Sequence, residues 1–119
     1  MLAVCGADAD LANPSVCATL VRDQDAILHL AAVSGEASVD ALHRDNSLAL
    51  AGLLQAAARA GVARFVFAST MHVMGMYGRL EPFDESSAPR PDSHYAASKL
   101  HGEALCRLYA EKCGMTVTA

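Results

Sequence analysis

Apolar positions along the chain follow two rhythms. Short, nearly unbroken runs occur at Leu2-Ala3-Val4-Cys5, at Ala26-Ile27-Leu28-His29-Leu30-Ala31, over residues 62–68 and at Met115-Thr116-Val117-Thr118. Their length and β-branched or aromatic content predict strands. Between them the spacing becomes helical. Asn13-Pro14, a capping residue followed by a first-turn proline, starts a short helix over residues 14–22 that the polar Arg22-Asp23-Gln24-Asp25 ends. A longer pattern spans about residues 38–60, with Leu50, Leu53, Leu54, Ala57 and Ala58 on one face and Arg59-Ala60-Gly61 as a basic last turn and glycine stop. Ser93 caps a second long helix that runs to Cys113 and stops at Gly114. Strand and helix alternate throughout, which predicts an α/β fold with a parallel, doubly wound sheet. The unbroken apolar character of residues 26–31 predicts a strand covered on both faces. His29, inside that run, reads as a hydrogen-bonded core histidine rather than a catalyst or ligand.

One stretch is not explained by core building. Residues 71–92 form a long loop containing Gly75, Gly78, Pro82, Pro89 and Pro91, and a loop of that length is more often functional than connective. Its Asp84-Glu85 pair reads as solvated surface charge. Ser69 and Thr70 stand before it, at the carboxyl end of a strand, where α/β sheets present side chains to ligands. Tyr95 and Lys99 stand after it, four residues apart and so on one helical face. A phenol with an ordinary pKa of about 10 acts as a base near neutrality only with help from a fixed positive charge. Lys99 is placed to supply that charge, and Thr70 to hydrogen-bond the oxygen that reacts. A lone Tyr-x-x-x-Lys is short and common, and taken alone it reads as an ordinary helix face, with Lys99 a solvated charge and Thr70 a strand-end hydroxyl.

The pattern is not alone. Phe65-Val66-Phe67-Ala68-Ser69-Thr70, then Gly75, Pro89 and Pro91, then Tyr95-Ala96-Ala97-Ser98-Lys99-Leu100-His101-Gly102-Glu103 resemble the extended short-chain dehydrogenase/reductases, the NAD-dependent sugar epimerases and dehydratases. With His29-Leu30-Ala31-Ala32 and Asp45-Asn46 upstream, the resemblance runs from Asp10 to Gly114. It implies NAD as cofactor, with NADP left open. It implies that Tyr95 takes a hydroxyl proton as hydride leaves, that Lys99 holds the nicotinamide ribose and depresses the Tyr95 pKa, and that Thr70 orients the reacting oxygen. Cofactor contacts would come from Asp10, Leu11, Leu30, Ala31, Ala32 and Asn46 together with Tyr95 and Lys99. Asp10 has a second reading as a helix-start residue. Substrate contacts would come from Ser34, Thr70, His72 and Tyr95. The order Ser69-Thr70-Met71-His72, with Arg90-Pro91-Asp92-Ser93 before the Tyr, is more similar to uronate dehydrogenases than to most epimerases. Those enzymes carry Ser-Ser-Asn-His, so Met71 departs from the pattern. The implied activity is oxidation of a sugar or sugar acid at C1. The alternatives are a nucleotide-sugar epimerase or dehydratase and a non-catalytic binding or dimerisation module.

The Gly-rich turn that holds pyrophosphate in such folds does not occur in this sequence. The chain therefore enters at what resembles the family's third strand, and residues 1–119 read as a partial Rossmann domain, a fragment carrying the third to sixth strands. In the strand order 3-2-1-4-5-6 this leaves Leu2-Ala3-Val4-Cys5 without a sheet neighbour and makes residues 26–31 an exposed edge. Composition changes this picture only at its margins. The net charge of −4 with no basic cluster argues against a nucleic-acid partner. Cys5, Cys17, Cys106 and Cys113 lack metal-ligand or disulfide-framework spacing, which fits a reducing compartment. No apolar run reaches the length of a membrane span, so the reading is a cytoplasmic protein. The two long helices resemble those that pair in the family, which implies a homodimer.

Overall fold

The computed structural model describes residues 2–4 (backbone only), 9–35, 37–78 and 80–119. Four strands, β1 (Leu2–Val4), β2 (Ala26–His29), β3 (Arg64–Phe67) and β4 (Thr116–Thr118), form one sheet in the order β1-β2-β3-β4. All three pairings are parallel. Helix α1 (Pro14–Leu20) connects the first pair, and α4 (His94–Cys113) the last. The middle connection is one long helical stretch: α2 (Val39–Leu42), a π-helical turn (His43–Leu48) and α3 (Ala49–Ala60). The expected caps are in place. Asn13 accepts from the Ser15 N–H, Ser38 from Ala41 and Ser93 from Ala96, and each spares an orphan amide of a first turn. Gly61 and Gly114 end α3 and α4 with φ of 73° and 68°, a left-handed conformation that costs glycine little.

Two expectations about the sheet fail. Leu2 to Val4 does have a neighbour, pairing Leu2↔Ile27, Ala3↔Leu28 and Val4↔His29, so β2 is an inner strand rather than an edge. A bare edge exposes a row of unpaired N–H and C=O groups, and the parallel run of β1 satisfies those of β2. Nor is β2 covered equally on both faces. Ile27 and His29 are about 1% exposed, while Ala26 and Leu28 are only partly buried. The same alternation recurs in β3, where Phe65 and Phe67 are buried, Val66 is intermediate and Arg64 is exposed. The helices pack on the Ile27–Phe65 face, and the continuous apolar run did not reveal that, among the described residues, the other face has no such helical cover.

That packed face is the core. Leu50, Leu53, Leu54 and Ala57 of α3 meet Ile27, Phe65 and Phe67 from the sheet, Cys17 and Val21 from the first crossover, and Cys106 from α4. Cys17, Cys106 and Cys113 are free thiols, the first two buried, and Cys5 lies outside the described residues. Helix α4 comes close enough to the sheet to require a glycine. A Cβ on Gly102 would lie 2.5 Å from Phe67 Cζ and 2.9 Å from Leu50 Cδ2. Gly102→Ala is therefore expected to lift α4 from Phe67 and to cost about 1–3 kcal/mol, as overpacking does. A urea midpoint unchanged by Gly102→Ala would show that the helix does not sit this close.

Candidate active site

The carboxyl ends of β2 and β3 open onto two clefts that share one loop, residues 30–35. On one side a cleft of about 590 Å³ is lined by Ala9, Asp10, Leu11 and Ala12 from the loop before α1, by residues 30–33, and by Asp45 and Ala49. Five of the predicted cofactor contacts, Asp10, Leu11, Leu30, Ala31 and Ala32, thus line a single hollow. Leu30 is 52% exposed there. Small Ala side chains and an uncovered Leu suit a flat ring, and the Asp10 and Asp45 carboxylates can accept hydrogen bonds from amino or hydroxyl groups. Asp10 is already engaged, accepting from the Ala12 N–H at 3.1 Å and from Arg44 at 3.3 Å. Asn13, not Asp10, caps α1. These residues fit the adenosine part of a dinucleotide.

On the other side a smaller cavity, about 290 Å³, is lined by Gly35, His72, Asp92, Ser93 and Tyr95. Gly35 has φ of +75°, which turns the shared loop into this cavity. The exposed Ser34 sits between the two clefts and lines neither. Thr70 ends the extended segment after β3 and caps the 3₁₀ turn Met71–Met74, accepting from the His72 N–H at 3.3 Å. That bond uses a lone pair and leaves the hydroxyl hydrogen free to donate. Ser69 donates instead to the Glu103 carboxylate, fastening the strand end to α4. His72 Nδ1 lies 2.9 Å from Asp92 Oδ2. The His72 hydrogen bond is the main reason the Asp92 carboxyl is held below its ordinary value of 3.8.

Asn46, expected to reach the site, does so by structure rather than by lining a cleft. It is 4% exposed, and its side chain makes three hydrogen bonds. Its Oδ1 accepts from the Val33 N–H at 2.8 Å, and its Nδ2 donates to the Val33 carbonyl and to Ser98 Oγ, each at 3.0 Å. Ser98 in turn donates to the Tyr95 carbonyl at 2.7 Å. Tyr95 and Lys99 share a face of α4, but the structure does not join them. Lys99 is 3% exposed, and its Nζ rests 4.2 Å from the centre of the Phe67 ring. Burial pushes its pKa below 10.5, with Cys106 and Glu103 acting in the opposite direction.

His29 corrects another expectation. It is buried, but among the described residues its Nδ1 has no hydrogen-bond partner. The ring instead stacks on Phe67, with centroids 6.0 Å apart and planes 13° from parallel, and lies tilted beside Phe65. Burial first, and the Lys99 charge second, lower its pKa from 6.5 to about 4. Sequence reasoning also passed over Asp92, Val33, Ser98 and Glu103, whose partners lie on other elements or across the loop and leave no local pattern.

The family profile for NAD dependent epimerase/dehydratases matches residues 3–119, and the chain belongs to that family of enzymes. Among its relatives is the uronate dehydrogenase of Pseudomonas syringae pv. tomato, 39% identical over 106 residues, which cover 89% of this chain and 38% of that protein. The structure of a glucuronic acid dehydrogenase from Chromohalobacter salexigens superposes with a TM-score of 0.87 at 38% identity, over 91% of this chain and 41% of that one. A uronate dehydrogenase from Agrobacterium tumefaciens complexed with NAD gives the same TM-score at 34% identity, again over 91% of this chain and 41% of that one. The chain thus spans about two fifths of the length of these relatives.

The pH dependence of stability follows from His29. Unfolded, it gains a proton as pH falls through 6.5; folded, it stays neutral until about 4. The unfolded state therefore binds more protons in that window, and stability falls with pH across it. The whole effect corresponds to roughly 3 kcal/mol. Thermal melts should drop between pH 7 and 4, and His29→Leu should flatten that slope. An imidazole that titrates near 6.5 in the folded protein by NMR would refute this account.

Proposed function

We propose that this chain is the part of an NAD-dependent sugar or sugar-acid dehydrogenase that carries the proton-transfer group and the adenosine end of the cofactor site. The carrying observation is that one loop, residues 30–35, walls both the adenosine-sized cleft and the cavity holding Tyr95 and His72. A ligand running along that loop would join the two. The resemblance of the chain to uronate dehydrogenases points the same way.

In this reading Asp10, Leu11, Leu30, Ala31 and Ala32 hold the adenosine end, and bound NAD supplies the hydride acceptor. Tyr95 takes the proton of the sugar hydroxyl. Lys99, one helical turn along, provides positive charge that favours the phenolate. Thr70 donates its free hydroxyl hydrogen to the reacting oxygen and fixes it against the phenol. His72 and Ser34 contact the rest of the sugar. Asn46 holds the loop and α4 at a fixed distance. The protein acts in the cytoplasm as a homodimer through its long helices.

In the full-length protein, NADH should form with glucuronate or galacturonate, and Tyr95→Phe should lower kcat at least about 100-fold, the usual contribution of a positioned acid or base. Turnover of a UDP- or dTDP-sugar without net NADH would favour the epimerase or dehydratase reading. An unchanged rate in Tyr95→Phe would remove the phenol from the mechanism.

A further inference from the structure

We propose that Asp92 is a positioning residue for substrate recognition. It holds the His72 imidazole in one tautomer and one orientation on the wall of the Tyr95 cavity, so that Nε2 accepts a hydrogen bond from a sugar hydroxyl. This rests on the dehydrogenase reading above. An ionised carboxylate has no proton to give, so the 2.9 Å contact between His72 Nδ1 and Asp92 Oδ2 requires the hydrogen to sit on Nδ1. On a neutral ring Nε2 is then an acceptor, and it suits a hydroxyl donor.

The pair is built into the loop rather than met by chance on its surface. Backbone bonds staple the two sides together: Arg90 N–H to the Val73 carbonyl at 2.9 Å, Met76 N–H to the Arg90 carbonyl at 3.0 Å, and Asp92 N–H to the His72 carbonyl at 3.4 Å. Gly75 makes room for the carboxylate. Its φ of −64° is open to any residue, so glycine is not there for its backbone. A Cβ at that position would overlap the Asp92 carboxylate and lie 2.8 Å from Asp92 Cβ. The missing side chain at position 75 and the acid at position 92 are thus one device. Its purpose is orientation, since the His72 and Asp92 side chains are 62% and 27% exposed and an exposed ion pair adds little stability.

The test is a double-mutant cycle in the full-length protein at about pH 8, where an ordinary histidine is neutral. The probes are glucuronate and NAD. Asp92→Ala and Gly75→Ala should each raise KM for glucuronate about tenfold, as loss of one hydrogen bond does, with KM for NAD unchanged and kcat within about twofold. The double variant should lose less than the sum of the two single losses, because without the carboxylate the added methyl meets only the Cβ at position 92, 2.8 Å away. Asp92→Asn, whose amide oxygen still accepts from Nδ1–H, should restore most of the loss. Nitrogen-15 NMR should find His72 in the Nδ1–H tautomer, and Asp92→Ala should abolish that preference. Additive effects of the two substitutions, an unchanged KM for glucuronate in Asp92→Ala, or an Nε2–H tautomer in the wild type would each overturn the proposal. Absence of any sugar oxidation by the wild type would overturn the dehydrogenase reading and the substrate role with it. An Nδ1–H tautomer in that same sample would still establish the Asp92 pairing, so the two failures are distinguishable.

Discussion

The arrangement of the site depends on the hydrogen bonds of one buried amide. Asn46 binds both backbone groups of Val33 and the hydroxyl of Ser98, and Ser98 passes the connection to the Tyr95 carbonyl. Three elements, the loop after β2, the middle helix and α4, are thereby held in one relation. Asn is a weak helix former, and a buried amide is costly unless its polar atoms are met. Here the Oδ1 and Nδ2 atoms both find partners, so the cost is offset, and the network is stiffer than its separate bonds. The π-helical turn is where this residue sits, and such turns recur at functional positions because they re-aim side chains along a helix.

The sheet supplies the platform on which that connection acts. Parallel pairing brings the carboxyl ends of β2 and β3 to the same side, and the loops that leave them are the ones that line the clefts. Gly102 lets α4 approach Phe67, and Ser69 ties the end of β3 to Glu103 on the same helix. Tyr95 stands at the start of α4, so its distance from Thr70 and His72 is set by how closely the rest of the helix is seated. On the other face of β2 and β3, Ala26, Leu28 and Val66 are only partly buried and Arg64 is exposed.

Local order was readable from the residues alone because its causes are local. Helical spacing in residues 50–57, the Asn13-Pro14 start and the glycine stops at 61 and 114 each act within a turn or two. Pairing is not local, and the place of β1 beside β2 had no signal in Leu2-Ala3-Val4. The apolar run of β2 carried burial but not its source, so cover on both faces was expected where the helices of this chain supply one. For the site, the strings around Thr70, Tyr95 and Lys99 and the small residues at 31 and 32 were legible through resemblance. Asp92 was not, because its partner His72 lies twenty residues away across a loop. Nor was the state of His29: a histidine in an apolar run implies burial, and only the fold reveals that Nδ1 meets no partner among the described residues.

His29, Phe67 and Lys99 together explain why the core beneath the end of β3 carries a single charge. Phe67 presents its ring to both neighbours, stacking with the imidazole and meeting the Lys99 ammonium 4.2 Å from its centre. Two cations in so small an apolar volume would repel each other, and burial alone disfavours either. Lys99 keeps compensation that His29 lacks, with the ring face beneath it and the Glu103 carboxylate on the next turn. The proton therefore leaves the imidazole first, and the charge is concentrated on the residue one turn along from Tyr95.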